Sequence, residues 1–282
     1  MVRGALLERI ARLIERSFVE PDAIFGEALA ILLDASETQY GYWCLCSRRH
    51  PEVRRKHDPV NGIRIHMMYR SEPLPAEAMR IAEALLRDGS YAEDPLIQLH
   101  TERAETLWLD WYSSFGMEHT HPMLRALRDA TGDRDELLGS VPIGGGSHLR
   151  VGLSRRVGSR VVSKAGRASA LALLPLLEAP LRRAAAWHGV FAGGCPLSAR
   201  ENELYRLLLG PSSEKEIAAT VGLTPRSTHQ RVLAIFRKLG VSGRLELQRH
   251  WLELSRAHPS APAPSATASP CALAPAAADS SR

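Results

Sequence analysis

No stretch of this 282-residue chain comes close to the ~20 consecutive apolar residues needed to span a bilayer. The N-terminus, MVRGALLERIARLIERSF, has no unbroken apolar segment either, because charges interrupt its Leu and Ile residues at helical spacing. A secretory leader is not expected and the cytoplasm is. Four cysteines, Cys44, Cys46, Cys195 and Cys271, are too few and too scattered for a disulfide scaffold. No G-x-x-x-x-G-K-[ST] run is present, and Gly144-Gly145-Gly146 has no lysine behind it, so an ATPase is not expected. There is no early acidic pair of the kind a phosphorylation receiver uses to hold a metal ion. Nor is there a nucleophile elbow or a pair of metal ligands at helical spacing. His119-Thr120-His121 beside Glu118 lacks the spacing of a base and its orienter. The chain is therefore not expected to be an enzyme, and no cofactor or metal is expected.

What is present is a chain able to fold: 45% hydrophobic and 24% charged residues permit a packed core. The net charge of +5 is unevenly spread. Residues 198–256 hold ten Arg/Lys against six Asp/Glu, whereas residues 1–197 are near neutral. A small basic C-terminal module behind a larger near-neutral one suits a nucleic-acid binder with a separate input domain.

Two shifts in composition mark boundaries. Gly189, Gly193, Gly194 and Pro196 read as a hinge. From Ala257 onward, Ala, Pro and Ser make up 20 of the last 26 residues, too little apolar surface to offset chain entropy. The expected organisation is an α/β regulatory and dimerisation domain over 1–188 and a linker over 189–196. A DNA-binding domain follows over 197–256, with a disordered tail over 257–282.

In the first domain, Leu6, Leu7, Ile10, Leu13 and Ile14 form one apolar helix face, and Ile24–Leu33 a second helix. Tyr40–Cys46 reads as a strand, and Ile63–Tyr69 alternates as a strand with one face buried. The loop between them, Ser47–Pro59, carries Arg48, Arg49, Arg54, Arg55 and Lys56, most simply a solvated hairpin loop. Cys44-x-Cys46 places both thiols on one strand face. With His50, His57 or His66 the pair is a candidate metal or redox site, but no second such motif accompanies it, and ordinary buried thiols are expected. A helix over Pro75–Asp88 and a shorter one from Asp94-Pro95 precede a short strand at Thr106–Leu109. Leu137–Ile143 and Leu149–Ser154 flank a glycine turn and predict a hairpin. Ser163–Trp187 returns to helical spacing, with Pro175 and Pro180 expected to bend or interrupt it.

The second domain predicts four helices. Ser198-x-x-Glu201 and Ser213-x-x-Glu216 are capping boxes, followed by inward Leu204, Leu207 and Leu208, then Ile217, Ala218 and Val221. Gly222 turns the chain, Thr224-Pro225 starts a third helix as cap and first residue, and Gly240 ends it. Val232, Ile235, Phe236 and Leu239 face inward there, and Leu245, Leu247 and Trp251 continue in a fourth helix. Two short helices about a glycine turn form a helix-turn-helix, whose second member can enter the major groove. That member carries Arg226, Arg231, Arg237 and Lys238 and no acidic residue. Arg226, Ser227, His229, Gln230 and Arg231 lie off its inward stripe. Gln reads adenine edges and Arg guanine edges, while Ser and Thr mostly reach phosphates.

Leu197-Ser198-x-Arg200-Glu201, Lys215-Glu216-Ile217-Ala218, Gly222-Leu223-Thr224-x-Arg226 and Arg237-Lys238-Leu239-Gly240-Val241 together resemble the LuxR-type (GerE-like) helix-turn-helix over about 60 residues. The resemblance implies a transcriptional regulator that binds double-stranded DNA, most often as a homodimer, with its last helix at the dimer contact. The residues it implies for DNA are Lys215, Thr224, Arg226, Ser227, Thr228, His229, Gln230, Arg231 and Lys238. The family pattern has Thr-Val-Lys where this chain has Ser227, Thr228 and His229, and often His at Arg231, which bears on the operator sequence. Residues 21–187 are similar to α/β ligand-sensing domains, either autoinducer-binding or GAF-like. The features are Asp94-Pro95, Trp108 and Gly139-Ser-Val-Pro-Ile143. In the lactone-binding type the aspartate at the Asp94 position holds the ligand amide and the tryptophan at Trp108 holds the lactone ring. That type's upstream aromatic residues are missing, since Met79–Arg87 contains none. A small-molecule effector is thus one expectation for this domain, and a pure dimerisation or partner-binding module the other.

Overall fold

The computed structural model describes residues 2–48, 63–88, 107–110, 122–144, 147–156, 158–160, 162–189 and 197–253. The basic segment 49–62, Asp94, His119 and His121, the linker residues 190–196 and the Ala/Pro/Ser-rich tail lie outside them, as does the side chain of Trp108. The N-terminal part is a mixed α/β layer, and the C-terminal part is all helical.

Helix α1 (Val2–Arg16) leads through a single 3₁₀ turn (Pro21–Ala23) to α2 (Ile24–Ser36). Five strands follow: β1 (Tyr40–Arg48), β2 (Ile63–Arg70), β3 (Leu107–Asp110), β4 (Asp133–Gly144) and β5 (Ser147–Arg156). They make one antiparallel sheet in the order β2-β1-β5-β4-β3. Helices α3 (Ala76–Asp88) and α4 (Pro122–Thr131) are interspersed, and α5 (Lys164–Trp187) closes the layer.

The sheet's two faces follow from the period of two along each strand. In register across the sheet, Trp43 faces Val151, Leu45 faces Leu149, and Leu149 in turn faces Val141. These side chains are fully buried against α2 and α5 and form the main core. Trp43 ties sheet to helix as well, its indole N–H donating to the Phe25 carbonyl at 2.8 Å. On the other face Cys44 lies opposite Arg150, and Cys46 opposite His148. Cys44, Cys46, His148, Arg150 and Ser140 are also buried, so β5 is covered on both sides. Both cysteines are free thiols on one strand face.

Two details differ from the sequence reading. The α1 stripe is only half used: Ile10 and Leu13 are buried, whereas Leu7 and Ile14 are exposed. Helix α5 is also continuous for 24 residues through both prolines. A proline deprives the carbonyl four residues earlier of its donor. Those carbonyls belong to Leu171 and Leu176, both on the exposed side of α5, where water can replace the lost bond. Among the described residues no helix is long and apolar enough to cross a membrane.

Candidate nucleic-acid interface

The C-terminal part is built from α6 (Ala199–Leu209), α7 (Glu214–Thr220), α8 (Pro225–Leu239) and α9 (Arg244–Glu253). The first two open with reciprocal caps. Ser198 Oγ accepts from the Glu201 N–H while the Ser198 N–H donates to the Glu201 carboxylate at 2.8 Å. Ser213 and Glu216 repeat the arrangement, with 2.7 Å for the return bond. Each box satisfies donors that a helix start otherwise leaves open.

A tight corner joins α7 to α8. Gly222 has φ 67°, a left-handed conformation that glycine adopts without a side-chain clash, and the Leu223 N–H closes the corner on the Ala218 carbonyl at 2.9 Å. Thr224 then caps α8, its hydroxyl accepting from the Ser227 N–H, and Pro225 is the first helical residue. Gly240 ends α8, also at φ 67°, and the Val241 N–H bonds the Phe236 carbonyl at 3.0 Å. Leu204, Leu208, Ile217, Val232, Ile235 and Leu247 fill the space between the four helices. Leu245, the first of the three residues that continue the pattern in the fourth helix, is exposed.

This packing decides which side of α8 faces out. Thr228, Val232, Ile235 and Phe236 point into the core. Arg226, Gln230, Leu233 and Arg237 recur at helical spacing on the opposite side and are exposed. Arg226, Arg231 and Arg237 form no ion pair among the described residues, so three guanidinium groups stand without counter-charge on a helix that contains no carboxylate. Lys215 is likewise exposed, on α7. Ser227 is exposed, its hydroxyl accepting from Thr224 Oγ1 at 2.9 Å.

Two of the residues singled out from the sequence turn away from that outward face, and a third is exposed but engaged by a neighbour. Thr228 is fully buried, and its hydroxyl has no hydrogen-bond partner. Lys238 turns back to α6 and bonds Glu201 at 2.7 Å. Burial raises the Glu201 carboxyl, but the bonds from Lys238 and Ser198 outweigh it and hold the group below its ordinary value. His229 is exposed but bonded to Glu214.

Residue type does not single out Leu233, or Arg237 as an outward residue, although both continue the 226–230 spacing. Nor does it single out Arg244. That guanidinium clasps the end of α6, donating to the carbonyls of Leu208 at 2.9 Å, Ser212 at 2.5 Å and Gly210. No motif announces a contact of this kind.

The unit is joined to the sheet domain by α5. Trp187, at the end of α5, packs on Trp251 with ring centroids 5.9 Å apart, and its carbonyl accepts from Asn202 Nδ2 at 3.0 Å and Arg206 Nε at 2.9 Å. Arg206 also reaches Asp22 of the N-terminal part at 3.8 Å.

No protein-family model matches the chain. It is 31% identical over 134 residues to the transcriptional regulatory protein UhpA of Escherichia coli, across 42% of this chain and 67% of UhpA. The chain belongs to the LuxR-type family of transcriptional regulators. UhpA of Salmonella typhimurium is 32% identical over 128 residues, across 40% of this LuxR-type chain and 64% of its own length. Among solved structures, Escherichia coli SdiA superposes with a TM-score of 0.46 at 13% identity, covering 88% of this chain and 97% of SdiA. The VqsR LBD domain from Pseudomonas aeruginosa gives 0.48 at 16% identity, covering 65% and 96%. Neither superposition bears on what this LuxR-type chain binds. Among its described residues, no three His, Cys, Asp or Glu side chains are grouped so as to hold a metal ion.

Proposed function

We propose that residues 197–256 bind double-stranded DNA with α8 in the major groove, as the output of a homodimeric regulator whose residues 1–188 form the input domain. Residues 189–196 join the two, and 257–282 form a tail outside both. One observation carries the reading: α8 turns Arg226, Gln230, Leu233 and Arg237 outward together, with no acidic residue on the helix and, among the described residues, no ion pair to neutralise its three arginines. Phosphate oxygens supply the missing counter-charge, and Gln230 lies on the side that meets base edges. Exposed Leu245 and Leu252 on α9 support a homodimer built on that helix, since a large apolar side chain gains from being covered.

The N-terminal part is read as a small-molecule sensor. Its support is the second face of the sheet, where an imidazole, a guanidinium, a hydroxyl and two thiols are buried in place of an aliphatic core. Polar groups are usual in a recognition site and uncommon in a filled core.

The test is binding of the full chain to duplex DNA across a salt series. Arg226→Ala and Arg237→Ala are each expected to lower the slope of log affinity against log salt by about 1, the signature of one lost phosphate contact. Gln230→Ala is expected to change which duplexes bind rather than the slope. A folded protein that ignores duplex DNA at low salt would overturn the reading.

A further inference from the structure

One side chain on α8 has its hydrogen-bonding sense fixed by a neighbour. Nδ1 of His229 lies 3.0 Å from Oε2 of Glu214, the first residue of α7. An ionised carboxylate offers only acceptors, so the ring proton of that bond must sit on Nδ1. In the neutral imidazole Nε2 is then an acceptor with a free lone pair. On α7, Glu216 is occupied in the Ser213 cap and Lys215 is a cation. On α8, Arg226 lies one turn earlier, and on α6 Glu201 is turned to Lys238.

We propose that the Glu214–His229 pair determines specificity: His229 Nε2 accepts a hydrogen bond from an exocyclic amino group in the major groove, N4 of cytosine or N6 of adenine. The inference rests on the proposed docking of α8 and adds the polarity of one contact. For the neutral ring a phosphate is excluded as the partner, because its oxygens, like Nε2, only accept. Guanine O6 and N7 and thymine O4 are disfavoured for the same reason. Glu214 is a positioning residue, since it acts through the histidine ring.

The experiment is selection of bound duplexes from a randomised library by the full-length protein, in mildly alkaline buffer that keeps imidazole rings neutral. The expected result is one position per half-site that prefers cytosine or adenine by about three- to tenfold, the factor one net hydrogen bond supplies. His229→Lys, which can only donate, moves that position to guanine. Glu214→Gln, whose amide either accepts from or donates to Nδ1, frees both ring tautomers and flattens that position alone, with thermal unfolding unchanged. If His229→Ala selects the wild-type sequences at every position, the specificity role is overturned while DNA binding stands. If the wild-type protein enriches no duplex, the docking reading and this inference fail together.

Discussion

Thr228 shows how a residue's chemistry can conceal its position. Its spacing to Val232 and Ile235 puts it on the inward stripe of α8, yet as a hydroxyl-bearing residue between two exposed ones it reads as a DNA contact. The structure buries it completely and leaves Oγ1 without a partner. An unsatisfied buried hydroxyl costs about 1–3 kcal/mol, and a valine of the same shape removes that penalty. Thr228→Val is therefore expected to raise the unfolding free energy by about 1 kcal/mol, read as a higher denaturant midpoint at unchanged slope. Lower stability in this variant would mean that the hydroxyl is bonded after all. Ser213, Glu216, Gly222, Thr224 and Gly240 were legible in advance, because each does what its covalent structure demands of a cap or a corner. The ion pairs Lys238–Glu201 and His229–Glu214 were not, since a sequence carries no sign of which long side chains will meet.

At the scale of elements, alternation revealed the strands and the glycines their turn, so five strands and the helix-turn-helix could be read directly. Alternation misled on burial. In β5, Leu149, Val151 and Leu153 alternate with His148, Arg150 and Ser154, the pattern of a strand with one wet face, yet both sets are buried. What covers a sheet comes from elsewhere in the chain, so a strand's own sequence cannot report it. The consequence is a pH effect at His148. Burial, and then the neighbouring Arg150, lower its pKa from 6.5 to about 4. Between those values the unfolded chain binds a proton that the folded chain refuses. Stability from this group is thus complete above about pH 6.5 and declines as the pH falls toward 4, by about 3 kcal/mol in total. His148→Gln is expected to lose that part of the slope in denaturant unfolding measured from pH 7.5 to 4.5. An identical slope in the variant would show that His148 titrates normally in the fold.

For the molecule as a whole, composition suggests two parts with a joint between them. The glycines and proline around residues 189–196 read as a hinge, and the described residues at either end of that segment are held by contacts. The Leu197 N–H bonds the Gly189 carbonyl at 2.9 Å, and Asp22 stands 3.5 Å from His188 and 3.8 Å from Arg206. His188 also packs on Phe25, with ring centroids 5.7 Å apart. Ala186 and Trp187, at the end of α5, belong to the core of the helical unit rather than that of the sheet. The two parts are therefore expected to unfold in one calorimetric transition. Arg206→Ala removes the bond to the Trp187 carbonyl, the contact with its ring at 4.7 Å and the pairing with Asp22, and is expected to split that transition in two. Two transitions already present in the unaltered protein would show that the joint is loose.

Helix α5 begins beside the sheet and ends among the helices that carry α8, and its 24 residues span about 36 Å. Its residues from Ala170 to Ala185 pack in the sheet-side core, and its tip, Ala186 and Trp187, lies in the other. A tilt of about 5° at the sheet end swings the tip by about 3 Å, close to the ~3.4 Å rise of one base-pair step. A shift too small to break any strand pairing would then carry the far end by the distance between adjacent rungs of the duplex.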